Sequence, residues 1–201
     1  MELDERKSKE GDARPRARKE RRHARKEKRD ARNKPARPAI PTASSPVVRK
    51  VMQGNKGKDT KPELAVRQAL REAGLRGYRL HWKAPGRPDV AWPGRKTAVF
   101  VNGCFWHRCP HCNPPRPHSN VEYWSVKFDR NVERDERNVA ALKEAGWNVH
   151  VVWECQLKPR TFARTILNLL EELSKELGKP LNADFLHELE CRAKAEEQKA
   201  H

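Results

Sequence analysis

The sequence predicts an α/β domain, a mixed β-sheet flanked by helices. Two observations carry this. Apolar and aromatic runs at 78–82, 89–92, 97–101 and 147–153 alternate with segments of helical period, in the order α-β-β-β-α-β-α-α. The run Thr97-Ala98-Val99-Phe100-Val101 is short and nearly all apolar, as a central strand buried on both faces should be.

The first helix is marked by Thr60-Lys61-Pro62-Glu63, a capping-box pattern with proline in the first turn. Leu64, Ala65, Ala69, Leu70 and Ala73 follow near helical spacing, and Gly74 is placed to end it. Tyr78 to Trp82 alternates as a strand. Pro85-Gly86-Arg87-Pro88 is a turn by composition, and Asp89-Val90-Ala91-Trp92 starts the next strand. Asn102-Gly103 breaks the central strand and opens a Cys/His-rich loop. Ser119 to Glu122 repeats the capping-box pattern ahead of a long helix over 121–145, stopped by Gly146. Trp147 to Trp153 is the last strand. Pro159 opens a helix carrying Phe162, Ile166, Leu167, Leu170, Leu173 and Leu177, with Gly178 as its stop. A more polar helix is expected over 182–198.

Charge divides the chain. The 201 residues carry 44 Lys+Arg against 27 Asp+Glu, and residues 1–50 alone hold 18 basic and 8 acidic side chains. That segment has almost no large apolar residues, so burial cannot offset the entropy of ordering it. It reads as a basic disordered tail, transiently helical through 14–32 and proline-rich over 35–46. Residues 51–158 read as the core domain and 159–201 as a helical extension packing on it. No run approaches the ~18 apolar residues that span a bilayer, and the opening MELDERKSKE lacks the apolar stretch of a secretory signal. A membrane protein is excluded and a reducing cytoplasm expected. A basic tail on a basic domain points to a polyanion, most often nucleic acid. The competing reading of the tail is a solubilising extension.

The cysteines point to metal. Cys104, Cys109 and Cys112 are spaced C-x4-C-x2-C, and Cys155 follows the last strand. Four soft ligands in this pattern suit tetrahedral Zn2+, with His111 able to replace one cysteine. The competing reading is a buried core thiol at Cys155 and incidental loop cysteines. Cys191 reads as a bystander. A closed site of this kind is structural, so reactive groups lie elsewhere. Asp89, between a turn and a strand, is the best candidate to hold a hard cation such as Mg2+, shared with the Val101 carbonyl. Its bland reading is a polar turn residue. His107 can act as general acid or base, or else ligate zinc or face solvent. Glu63 is ordinarily a cap. Phe105, Trp106 and Trp124 can wedge between bases or pack in the core.

Five blocks then carry a resemblance: KGKDTKPELAVRQAL, PGRPDVAW, AVFVNGCFWHRCPHC, EYWSVKFDRNVERD and LKEAGWNVHVVWEC. Covering about 52–157 in order, they resemble the very-short-patch-repair (Vsr) endonucleases. The resemblance implies a restriction-endonuclease-like fold. It implies Mg2+-dependent nicking of one strand of double-stranded DNA beside a T·G mismatch, the product of 5-methylcytosine deamination. By position it makes Asp89 the Mg2+-binding aspartate and Val101 a ligand through its main-chain oxygen. His107 becomes the general acid/base and Glu63 the helix glutamate near the active site. Cys104, Cys109, Cys112 and Cys155 match the Zn2+ site, and Phe105, Trp106 and Trp124 the DNA-wedging aromatics. A monomer acting in the nucleoid-bearing cytoplasm is expected, with other repair proteins among its partners. Val101 stands where threonine can occur, and Asn102 where histidine or aspartate is expected. Asn102 cannot act as a base. The rival readings are a related restriction- or defence-type nuclease without mismatch dependence, an inactive zinc-stabilised DNA-binding protein, and an RNA-binding protein.

Overall fold

The computed structural model describes residues 39, 41–42 and 45–198. The tail expected over 1–50 falls almost wholly outside these residues. A helix, α1 (Pro46–Gly54), crosses the boundary expected at 50.

The capping motif at Thr60 starts α2 (Lys61–Glu72), which ends at Ala73 and Gly74. Three antiparallel strands follow: β1 (Arg79–Leu80), β2 (Val90–Trp92) and β3 (Thr97–Asn102). A short helix α3 (Cys104–His107) and the long α4 (Val121–Glu144) lead to β4 (Asn148–Trp153), parallel to β3. Two helices close the described chain, α5 (Phe162–Leu177) and α6 (Ala183–Gln198). Sheet order is β1-β2-β3-β4. The expected central strand, β3, is indeed paired on both edges, antiparallel to β2 and parallel to β4.

The main core lies between the sheet and α2 and α5. Val66, Leu70, Val90, Val99, Ile166, Leu170 and Leu173 are all fully buried. Leu189 and Ala193 of α6 join it, so the C-terminal helices complete the core. Helix α4 brings buried Phe128 and Leu142 from outside that cluster. No helix among the described residues is long and apolar enough to cross a membrane.

Three local expectations are corrected. The capping box at Ser119 does not form: Asn120 caps α4 in a left-handed conformation without a side-chain bond. The helix expected from Pro159 begins at Phe162, after a 3-10 turn over Glu154–Leu157. Cys104 to His107 form a helical turn rather than a loop. Phe105 and Trp106 are therefore half-buried instead of pushed outward.

Candidate active site and metal centre

One end of the sheet gathers the candidate residues. His81 follows β1, Asp89 precedes β2, and Val101 and Asn102 end β3. All of them line a cleft of about 500 Å3 together with Glu63 of α2, His107 of α3, and Arg134, Asp135 and Asn138 of α4. Lys58 and Arg87 add positive charge to its wall.

Asp89 sits where the β2–β3 ladder has ended, and its Oδ2 accepts the Val101 N–H at 2.7 Å. In an extended strand the N–H and C=O of one residue point to the same side. The Val101 carbonyl is thus directed toward Asp89. The remaining Asp89 oxygen is the kind of hard donor that Mg2+ takes, so the pair fits such a cation. Burial pushes the Asp89 carboxyl above the usual range, and Glu63 adds to this. The Val101 N–H and the charges at His81 and Arg67 oppose it. A carboxylate destabilised in this way gains from a cation.

Glu63 is 5% exposed and heavily bonded. Its Oε2 accepts from the Asp59 N–H at 2.9 Å and from Arg67 at 3.0 Å, and Thr60 Oγ1 donates to Oε1 at 2.8 Å. Glu63 thus exceeds an ordinary cap: Arg67, four residues on and equally buried, neutralises it beside Asp89. Arg67 also reaches Asp59, and this bond, more than any other contact, holds the Asp59 carboxyl low.

His107 is held by α4. Its Nδ1 lies 2.5 Å from Asp135 Oδ2, and Asn131 donates to the Trp106 carbonyl at 2.9 Å. Asn131 and Asp135 stand four apart, so consecutive residues of α3 dock on one helix face. Burial pushes the Asp135 carboxyl up, but His107 and Arg134 outweigh it and hold it below the usual range. Asp135 closes the EYWSVKFDRNVERD block without being singled out by it. The four-residue spacing of Asn131 and Asp135 was the available signal. His81, Arg67 and Asp59 were missed as well, because only folding brings β1 and α2 to Asp89.

The aromatics form one cluster. Phe105 meets Trp106, Trp124 and Phe128 edge-on, with centroids 5.1, 5.5 and 5.2 Å away. The Lys127 ammonium lies 5.1 Å from the Trp106 ring and 5.4 Å from that of Trp124. Trp106 and Trp124 are therefore half-buried rather than free, and the cation adds attraction to ring packing.

The four cysteines do converge. The Sγ atoms of Cys104, Cys109, Cys112 and Cys155 lie within 4.8 Å of one another, as free thiols. Cys109 and Cys155 are 3.6 Å apart, near the ~3.8 Å edge of a tetrahedron with 2.3 Å Zn–S bonds. The Cys155 N–H donates to Cys104 Sγ at 3.2 Å. Burial pushes the Cys109 thiol up, but the N–H groups of Cys112 and His111 outweigh it. These donors fit zinc, and His111, exposed, stands outside the four-sulfur group. Glu154, before Cys155, accepts the Cys104 N–H at 3.2 Å. The cluster thus ties α3, and with it His107, to the end of β4.

The chain is similar to known proteins. The family model described as DNA mismatch endonuclease Vsr matches residues 45–113. The type II nicking enzyme V.XorIIP of Xanthomonas oryzae is 46% identical over 110 residues, 54% of this chain and 80% of that protein. V.NmeAIP of Neisseria meningitidis, also a type II nicking enzyme, is 41% identical over 115 residues, 56% and 81% of the two chains. The DNA mismatch endonuclease Vsr of Escherichia coli is 38% identical over 104 residues, 51% and 66% of the two chains. The chain therefore belongs to the Vsr family of DNA endonucleases.

Proposed function

We propose that this protein nicks one strand of duplex DNA beside a T·G mismatch, with Mg2+ at Asp89 and the Val101 carbonyl. The observation that carries the reading is the cleft itself. A destabilised carboxylate, a carboxylate-held histidine and a cluster of aromatic rings adjoin one another at one end of the sheet. The mixed sheet bearing Asp89 at its end also supports a restriction-endonuclease-like fold. A monomer in the nucleoid-bearing cytoplasm, working beside other repair proteins, goes with this reading.

Mg2+ bound at Asp89 supplies polarisation of the scissile phosphate and a lowered pKa for a bound water. The protein's own groups do the rest. With its Nδ1–H given to Asp135, His107 has Nε2 left to act as a base for the attacking water. Glu63, neutralised by Arg67 on Oε2, keeps a lone pair on Oε1 for a water of the site. Lys58, Arg87 and Arg134 meet phosphate charge. Asn102 offers hydrogen bonds to substrate but no proton removal. The four-cysteine site, filled by Zn2+, holds α3 rigid.

Phe105, Trp106 and Trp124 then act as the wedge. Unstacking a base step costs a few kcal/mol. A mismatched step is already weakened, so the wedge enters there at lower cost, a physical source of mismatch preference. The names of the relatives support nicking: two are nicking enzymes and one a mismatch endonuclease.

A strand-resolved nicking assay with Mg2+ tests this, comparing pooled T·G duplexes with their C·G counterparts. Nicking that depends on T·G and disappears in Asp89→Ala is expected. Equal cutting of both duplexes would favour a nuclease without mismatch dependence. Binding without cutting would favour a DNA-binding protein.

A further inference from the structure

Phosphodiester hydrolysis moves two protons: one leaves the attacking water and one reaches the departing oxygen. The reading above gives the first to His107 and leaves the second without a donor. We propose that His81 is that donor, the general acid for the leaving group. The proposal rests on the nuclease reading of this cleft.

Four observations support it. His81 lines the same cleft as Asp89 and His107. Along the sheet it follows β1, whereas Val101 lies at the end of β3 and the segment leading to His107 follows that strand. Asp89, before β2, lies between them. The two imidazoles thus flank the candidate cation site, as the attacking and leaving oxygens of an in-line displacement must. His81 makes no hydrogen bond among the described residues, so its ring is free for substrate. Asp59 and Glu63 each bring a carboxylate oxygen within 4.8 Å of a ring nitrogen, and all three atoms lie within that distance of one another. Neither carboxylate bonds the ring here, but both are near enough to take one ring N–H when substrate engages the other. The other cations on the wall serve poorly: Arg87 and Arg134 do not give up a proton in proteins, and Lys58 does so far less readily than an imidazole.

The step balances. The water oxygen bonds to phosphorus as its proton passes to His107. The bond to the departing bridging oxygen breaks, and that oxygen takes the His81 proton. The products are a phosphomonoester and an alcohol, and solvent resets both rings.

The test replaces the departing oxygen with sulfur, using one T·G duplex for each of the two bridging positions. A thiol ionises at about 8.5, far below a sugar hydroxyl, so a thiolate leaves without a donated proton. Mn2+ is present throughout, because a softer ion tolerates contact with sulfur better than Mg2+. His81→Asn suits the position, since its backbone is left-handed at φ +48 and asparagine adopts that conformation readily. His81→Asn should lose about 10²-fold in single-turnover rate on the oxygen duplex, and at most a few-fold on one sulfur duplex, with DNA affinity unchanged. His107→Gln should remain slow on both. Equal losses for His81→Asn on oxygen and sulfur would overturn the assignment, as would no loss on oxygen. A raised half-saturating Mn2+ with unchanged leaving-group dependence would make His81 a cation ligand and also overturn it. If the wild type nicks no duplex, the nuclease reading falls and this proposal with it. If it nicks but His81→Asn is not selective, only this proposal falls.

Discussion

Replacing Arg67 with methionine tests how the cleft tolerates a buried carboxylate. Arg67 is 4% exposed and Glu63 5%, and their side chains meet at 3.0 Å. Removing one member of such a pair leaves an uncompensated charge, at a cost of about 3–5 kcal/mol. Two corrections apply. Among the described residues the Arg67 Nε is buried without a partner, and removing an orphaned donor returns about 1–3 kcal/mol. The bond to half-exposed Asp59 adds little, because solvent screens it. The net loss is roughly 2 kcal/mol, combining these two ranges. For a chain of this size it lowers Tm by about 4–8 °C. Thermal melts at pH 7 measure it. The double variant Glu63→Leu/Arg67→Met should recover most of the loss, since no charge is then left buried. Nicking should fall in both, because Glu63 is displaced or absent. An unchanged Tm in Arg67→Met would refute the reasoning, and so would a double variant less stable than the single one.

Three further outcomes follow from the same geometry. Asp135→Asn should lower the single-turnover rate by about 10²–10⁴-fold with DNA affinity kept, because an amide can donate as well as accept and no longer holds His107 in one tautomer. The Asp135 carboxyl is held low in the fold, so its stabilisation is present above the ordinary carboxylate range and lost as pH falls through its folded value. The Tm gap between wild type and Asp135→Asn should therefore shrink between pH 5 and 2, as read by melts. Asp89 has the opposite sign: its pKa is raised, so the penalty on its charge grows as pH rises through the ordinary range and is complete above the folded value. Asp89→Asn keeps an acceptor for the Val101 N–H, and in magnesium-free buffer it should melt higher than wild type at pH 7 and equally at pH 3, while nicking is lost. Atomic emission should find about one zinc per chain, and Cys109→Ala should lose that zinc together with several degrees of Tm.

Local signals were legible where chemistry is local. Thr60 and Pro62 announce α2, Gly74 and Gly178 stop their helices, and the apolar run at 97–101 is an inner strand of the sheet, paired on both edges. The cysteine spacing sufficed as well, because a knuckle of three thiols within nine residues has few other uses. Signals failed where a neighbour distant in sequence decides. Ser119 and Glu122 carry the capping-box letters, yet Asn120 starts the helix. Phe105 and Trp106 looked like a protruding tip, but α4 covers them with Trp124 and Phe128.

The sequence by itself determined the α/β class, the order of the strands and of the helices other than α1 and α3, the four-thiol set and the family, since these depend on periodicity, turn residues and spacing along one chain. Tertiary structure alone decided the protonic wiring of the cleft. Asp135 reaches His107 across 28 positions, and Asp89 reaches the Val101 N–H across 12. His81 stands beside Glu63 because β1 ends next to the start of α2. A carboxylate's pKa and a histidine's tautomer depend on what lies a few ångströms away in space, and that distance does not exist until the sheet has formed.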